Sequence, residues 1–472
     1  MFDTLFVLPF SFWVVLFLLL GGGTWAAWKI REGLGLPILA VLGTVAVWYV
    51  GDMYYNDYAQ NHAILFAGTV LSDAWWQVAW FLTSFLILAP LVHGWLNEGE
   101  LQRSSQVCRL LQTGGVGPQF QARLIQLFWG AASTWAVLTV IALIRVGDQI
   151  PYYIFPFLGE RVDPWGRGQI GEDLSALLSL ASYLQLFLAA MFGLVAALAQ
   201  DKRVRWLALL GCCLTWPYYV FDRTRNSILV IAVPAVLSWV FVRLRTGPLP
   251  KFVVLAVCYL LIHVWFAFII ANRSGTSIGA AARGEGTGLR EASREAHHEG
   301  LNMFEELCWT NTLLDAGIYS PNWGANYLAN LANPIPRGLW RNKPLIGFDY
   351  AMARGQSFTG EGMTATMSTG LIGQGVVNFG FFLGPAFAAL LMSFWSAFMA
   401  RLDLRGDQVG YLGLYLLSMV ETFNLGRDIT FIALYPVIFG FFIVWLVRRR
   451  SRMEKRLRKK PRRATQYEIR AD

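Results

Sequence analysis

The sequence predicts an all-α integral membrane protein of about eleven transmembrane helices, and three observations carry that expectation. Of its 472 residues, 56% are hydrophobic and only 15% charged, with a mean hydropathy of +0.45. Soluble domains carry roughly 25% charged residues, so this chain is too apolar to offer water a full surface. Apolar stretches of about 20 residues recur along it, each able to cross a hydrocarbon core of roughly 30 Å. Lys and Arg fall in alternate loops between those stretches, as they do when one side of a membrane is cytoplasmic.

The expected spans run near Leu5–Trp28, Leu34–Val50, Trp75–Leu96, Leu124–Ile144, Leu174–Ala199, Trp206–Phe221, Ser227–Val242, Phe252–Ala271, Leu371–Met399, Gly410–Leu425 and Ile429–Val447. Met1 to Phe10 contains Asp3 and no Lys or Arg, which suits the outside. Lacking a basic region before its apolar run, the first span is expected to remain as an anchor. The inner loops then hold Lys29 and Arg31; Arg103, Arg109 and Arg123; Lys202, Arg203 and Arg205; Arg243, Arg245 and Lys251; and Arg401 and Arg405. The expected topology is N-out, C-in. Residues 1–271 supply eight spans, 272–370 a large late outer loop, 371–447 three more spans and 448–472 a basic tail.

The net charge of +9 does not point to nucleic acid. Much of it lies in Arg448–Arg463, RRRSRMEKRLRKKPRR, directly after the last span. Such a run anchors on anionic membrane lipids at the cytoplasmic face. The five cysteines give no disulfide framework: Cys212, Cys213 and Cys258 lie in spans, Cys108 in an inner loop, and Cys308 alone outside. The outer loop opens on GTSIGAAARGEGTG and becomes amphipathic from Leu301, with Leu301, Phe304, Leu307, Cys308 and Leu314 at helical spacing. That pattern fits a helix lying on the membrane or capping a cavity, and equally a small packed loop domain.

The informative residues break the charge alternation. Asp222-Arg223-Thr224-Arg225-Asn226 sits at an outer junction of two short spans, Asn333 to Pro344 (NPIPRGLWRNKP) closes the outer loop, and Asn424-Leu425-Gly426-Arg427-Asp428 joins the last two spans. An Arg at a span centre costs roughly 2.5–3.5 kcal/mol on the lenient scale; at a span end it snorkels and costs less. The plain alternative is that Arg225 pairs with Asp222 and Arg427 with Asp428, or that both touch headgroups. Three basic segments on the side where positive charge is normally avoided suit a polyanion, and the planar fork of Arg binds phosphate bidentately.

Ile335 to Gly347, reading I-P-R-x-L-W-x-x-K-P-x-x-G, resembles the bacterial oligosaccharide repeat-unit polymerases, the Wzy-type O-antigen or exopolysaccharide polymerases. The Thr224-Arg225-Asn226 step, the glycine-rich re-entry Thr369-Gly370-Leu371-Ile372-Gly373 with Asn378-Phe379-Gly380, and the short Gly426-Arg427-Asp428 loop are similar to that family too. The resemblance covers the second half of the chain, and Arg341 departs from it where the family often has proline. It implies a fold like the lipid-phosphate glycosyltransferases and O-antigen ligases, with one large periplasmic loop and no cofactor. It also implies glycosyl transfer between undecaprenyl-pyrophosphate-linked oligosaccharides, donor and acceptor, at the periplasmic face of the bacterial inner membrane. A chain-length regulator and a flippase would be its partners.

Charge develops on the departing pyrophosphate, so preorganised cations lower that barrier. The resemblance assigns Arg225, Arg427 and Arg337 to this catalytic work, and Arg223, Asn226, Lys343, Trp340, Glu305 and Glu306 to substrate binding. No DxD or ExD pattern occurs in an outer segment, and the adjacent Glu305 and Glu306 point about 100° apart on a helix, so a metal is not expected. A base for the acceptor hydroxyl could be Glu305, Glu306, Asp315, Asp349, Glu361, His297 or His298. Trp309, Trp323, Trp340 and Tyr327 could stack on sugar or anchor at the interface. The nearest rival is an O-antigen ligase, for which EAHHEGL is a poor motif match. A flippase would carry charge within its spans along a pathway, whereas these basic motifs lie at one face.

Overall fold

The computed structural model describes residues 8–56, 58–113, 117–155, 162–165, 175–221, 225–244, 247–271, 302–332, 335, 339–340, 342, 344, 347–355, 368–405, 409–430, 434–446 and 449, and every regular element among them is helical. Helix α1 (Phe10–Trp28) runs into a 3-10 turn that Gly33 ends at φ 83°. Helix α2 (Gly35–Val45) continues through a π turn, Ala46–Val50, into a short helix Gly51–Tyr55. Next come α3 (Gly68–Leu96), a short amphipathic α4 (Gln106–Thr113), α5 (Pro118–Val146) and α6 (Ser175–Leu198). Helix α7 (Lys202–Val220) starts on an Asp201 cap, whose Oδ1 accepts from the Arg203 amide at 2.7 Å. Helix α8 (Arg225–Ser238) is prolonged by a π turn, Trp239–Arg243, and α9 (Pro248–Ala271) follows. Three shorter helices, α10 (Met303–Asp315), α11 (Ala325–Ala332) and α12 (Phe348–Ala353), precede α13 (Leu371–Leu404), α14 (Val409–Leu425) and α15 (Leu434–Leu446).

Each span expected from hydropathy falls on one of these helices. Among the described residues, seven helical stretches are long and apolar enough to cross a membrane, and Ser227–Ser238 and Leu434–Leu446 are shorter apolar helices. Helix α7 opens with Lys202, Arg203 and Arg205 and α14 holds Glu421, which lowers the apolar character of both.

Two apolar cores share α13. One joins α1, α2, α3 and α10 around Trp75, Phe81, Phe85 and Phe304; the other joins α5, α6, α7, α8, α14 and α15 around Leu188, Phe192 and Tyr415. Trp395 on α13 packs against both. Helix α10 is therefore no surface helix: Phe304, Leu307 and Cys308 are buried in the first core, and Asn311 exchanges two hydrogen bonds with Gln77 of α3, at 2.9 and 3.0 Å.

Helix ends expected on one side of the membrane meet in space. At the end expected to face inward, Ser105 N donates to Arg31 O at 3.0 Å, Val107 N to Asp403 Oδ1 at 2.9 Å, and Arg405 pairs with Glu100. Arg243 donates to Ala199 O at 2.9 Å. At the opposite end, Asp52 Oδ2 caps α10 by accepting from Phe304 N and Glu305 N at 2.8 and 2.9 Å.

Helix α13 departs from the expected single span. A Cβ on Gly375 would lie 2.2 Å from Gly384 O, and one on Gly384 would lie 2.4 Å from Gly375 C. In a continuous helix nine residues span roughly 13 Å, so backbone contact between these two glycines requires the chain to fold back. The fold occurs at Gly380, φ 77° and ψ −172°, a conformation costly for any residue with a Cβ. Leu371–Phe379 is thus a separate limb laid against Phe381–Leu404, and the latter alone remains long enough to span.

We predict that Gly375→Ala lowers stability by about 1–3 kcal/mol through overpacking against backbone. Gly43→Ala, where nothing lies within 4 Å of the added Cβ, should leave stability unchanged or raise it. Thermal melts of the purified variants in detergent compare the two, and equal melting temperatures would contradict the hairpin.

Candidate functional site

The limb Leu371–Phe379 organises the end of the bundle expected to face outward, because both ends of the limb are tied down. At its start Gly370 takes φ 80°, where a Cβ would meet the Tyr49 hydroxyl at 2.8 Å. That hydroxyl accepts from Ile372 N at 2.8 Å. Leu371 N donates to Gly426 O at 3.0 Å. Gln374 clamps Ile429 in both directions, Oε1 accepting from its amide at 2.8 Å and Nε2 donating to its carbonyl at 3.2 Å. At the far end, Asn378 O accepts from Trp323 N at 2.8 Å and Asn378 Oδ1 from Asn326 N at 3.2 Å. Asn326 in turn accepts from Gly347 N at 3.1 Å, which brings the start of α12 to the same layer.

The Gly426–Ile429 loop is fixed from a second direction. Trp48 Nε1 donates to Phe423 O at 2.8 Å, and a Cβ on Gly426 would strike Thr44 and Trp48 at 2.2 and 2.4 Å. Glycine is required there because α2 passes too close for a side chain. Pinned in this way, the loop turns the exposed Arg427 side chain outward, with Nε donating to Ser368 Oγ at 2.8 Å.

Asp428 beside it accepts from Thr369 N at 3.3 Å and from the Ser368 hydroxyl. Ser368 therefore stands between Arg427 and Asp428, in place of the direct ion pair considered from sequence. Burial pushes the Asp428 carboxyl up to about 6, against the lowering pull of Ser368, Arg427 and Thr369. A carboxylate there exchanges its proton near neutral pH, as a general base must.

The second basic step reaches the same end. The Arg243 end of α8 lies by Ala199 and packs near α4, whose start is held by Asp403 at the inner end of α13. Helix α8, with its π turn, is long enough to carry its other end to the opposite side. Arg225 and Asn226, its first two residues, thus share the outer end with Arg427, on a helix packed against α14. Arg223, Arg337 and Lys343 lie outside the described residues.

Trp340 is 38% exposed in an irregular stretch. The structure separates the two glutamates. Glu305 Oε1 accepts from Trp309 Nε1 at 3.3 Å. Glu306 is buried, accepting from the Tyr350 hydroxyl at 2.8 Å and from Arg354 Nη2 at 3.0 Å, and so fastens α12 to α10. Burial works against the Arg354 charge, yet the Glu306 carboxylate outweighs it and raises the Arg354 pKa. The Arg354 guanidinium also stacks 4.3 Å over Trp309. Glu306 is thereby engaged in holding two outer helices together.

No protein-family model, curated protein or solved structure matches the chain. The site is read from its own residues. It has an exposed Arg427 and a carboxylate poised near neutrality on a rigid glycine-built frame, and Arg225 begins a helix packed against α14. In the sequence Asp428 reads only as a counter-ion to Arg427, and Tyr49 and Asp52 carry no signal, being ordinary members of an apolar helix and its end.

The Asp428 shift has a testable sign. A carboxyl whose native pKa is raised from 3.8 to about 6 contributes stability at low pH that is lost as pH rises through that range. Asp428→Asn, which keeps an acceptor for Thr369 N, should flatten the fall in melting temperature across that window. An unchanged slope would place the titration elsewhere.

Proposed function

We propose that this protein joins lipid-linked oligosaccharide repeat units by glycosyl transfer at the outer face of the membrane. The observation that supports this reading is the arrangement of Arg225 and Arg427 at the outer ends of two packed helices, with Asp428 beside the latter. In the proposed topology eleven spans run N-out, C-in, and the face in question is the periplasmic side of a bacterial inner membrane. The acceptor hydroxyl attacks the anomeric carbon of the donor, the C–O bond to pyrophosphate breaks, and the hydroxyl proton passes to Asp428. Arg225 and Arg427 stabilise the charge that gathers on the departing pyrophosphate, and Arg is suited to it by its bidentate geometry. The reaction calls on no divalent ion in this proposal, so it should survive an excess of chelator.

The test is product analysis of purified protein incubated with lipid-linked repeats: a ladder supports polymerisation, and a single transfer to lipid A core makes the protein a ligase instead. Arg427→Ala and Arg225→Ala should each cost about 10²–10³ in rate, the loss typical of one transition-state donor. Lys at either position should recover part of the activity, because an ammonium keeps the charge but not the fork. Normal polymer from both Ala variants would overturn the assignment. Sidedness is tested separately with a membrane-impermeant thiol reagent: Asp428→Cys should label from outside and Asp407→Cys should not.

A further inference from the structure

Helix α14 carries a polar ladder that the outer-face chemistry leaves unused. Tyr415, Ser418, Glu421 and Asn424 follow at three-residue steps, so their Cβ atoms stand about 5–6 Å apart along one slowly turning face. Ser418 is 0% exposed, Tyr415 and Glu421 1%, and Asn424 7%. Among the described residues, the Tyr415 hydroxyl, Ser418 Oγ and Asn424 Oδ1 are buried with no hydrogen-bond partner, as is Asp403 Oδ2 near the end of α13. Asp403 lies within electrostatic reach of the Tyr415 hydroxyl. At the other end Asn424 is four residues from Asp428 in the outer loop.

Glu421 sits in the middle of this run. Its Oε2 accepts from Asn424 Nδ2 at 2.8 Å, and among the described residues no cation pairs with it. The helices packed against α14 bring Tyr49 and Asp52 (in the π turn and short helix that continue α2), Arg123 and Arg145 (α5), Arg225 (α8), and Arg401 and Asp403 (α13), while α15 contributes Tyr435. Asn424 is the group that acts on Glu421 directly.

A purely structural seam satisfies its own polar groups. Neighbours of the ladder do so: Thr422 Oγ1 donates to Ser418 O at 2.8 Å and accepts from Trp395 Nε1 at 2.8 Å, and Ser393 Oγ donates to Ala389 O at 2.7 Å. Native interiors leave few buried polar atoms without partners; of the 17 such side-chain atoms among the described residues, four fall on this one seam. Polar groups about 5–6 Å apart are within the reach of a single bridging water. A carboxylic acid inside a membrane without a cation is a functional group by default.

We propose that this seam is a proton path through the membrane, with Glu421 as the carboxylate that binds and releases the proton in transit. A proton enters at Asp403, and each hydroxyl or bridging water accepts one proton while releasing its own. Glu421 gains and loses a proton in turn, and the proton leaves past Asn424, which holds the Glu421 carboxylate, through bridging water towards Asp428, or the reverse, as the electrochemical gradient dictates. No covalent bond other than O–H is made or broken, so no oxidant or reductant is needed. The path does not depend on the glycosyl-transfer reading.

The experiment uses full-length protein in liposomes holding a pH-sensitive dye, with a potassium gradient and valinomycin to set the membrane potential. Wild-type protein should carry protons faster than protein-free liposomes. Glu421→Gln, which keeps an acceptor for Asn424 but cannot titrate, should fall to the protein-free rate with an unchanged melting temperature. Tyr415→Phe, which loses only a hydroxyl, should reduce the flux and guards against misfolding of the first variant. Glu421 in wild-type protein should also react with dicyclohexylcarbodiimide, located by mass spectrometry. Wild-type flux no greater than that of empty liposomes, or equal flux in wild type and both variants, would overturn the proposal.

Discussion

Backbone contact between Gly375 and Gly384 is the constraint on which the outer end of this molecule depends. Two helical limbs can touch at that distance only where neither carries a Cβ, and the reversal between them needs the positive φ of Gly380. With the hairpin closed, the first limb offers free amides at its start and free acceptors at its far end to partners elsewhere in the chain. Tyr49, Gly426 and Asn322–Asn326 all find their positions by bonding to it. Opening the hairpin would release the Gly426–Ile429 loop and with it the fixed direction of Arg427.

The same economy of backbone groups explains why the outer layer is polar yet rigid. A helix start has unsatisfied amides, and burying it beneath other helices is costly unless something accepts from them. Asp52 does this for α10, and the Tyr49 hydroxyl and Gly426 carbonyl do it for the limb. At the inner end Asp403 plays the equivalent part for α4 through the Val107 amide. Polar side chains at span ends thus act chiefly as terminators of neighbouring helices, and those without such a duty stand out.

Arg427 and Asp428 stand out for this reason. Held apart by Ser368, they retain separate chemistry: a cation facing water and a carboxylate whose proton is exchangeable near neutrality. Glu306 and Arg354 show the contrasting case, in which a carboxylate and a guanidinium close on each other at 3.0 Å and become part of the frame. The ladder on α14 lies beneath, and its unpartnered hydroxyls separate it from the satisfied threonine and serine beside it.

Hydropathy by itself determined the all-helical, membrane-type class and where most of the long apolar helices lie, because crossing lipid demands about 20 apolar residues whatever they pack against. Charge placement also marked Arg225 and Arg427 as unusual before any contact was known. Tertiary structure alone decided that Leu371–Phe379 is a folded-back limb, since its apolar, glycine-rich sequence suits a continuous span equally well. It alone divided Glu305 from Glu306, giving the second to Arg354 and Tyr350. It alone raised Asp428 from counter-ion to base candidate and exposed the unsatisfied seam of α14. Burial and hydrogen-bond partnership arise from residues far apart in the chain, and periodicity within one segment carries no record of them.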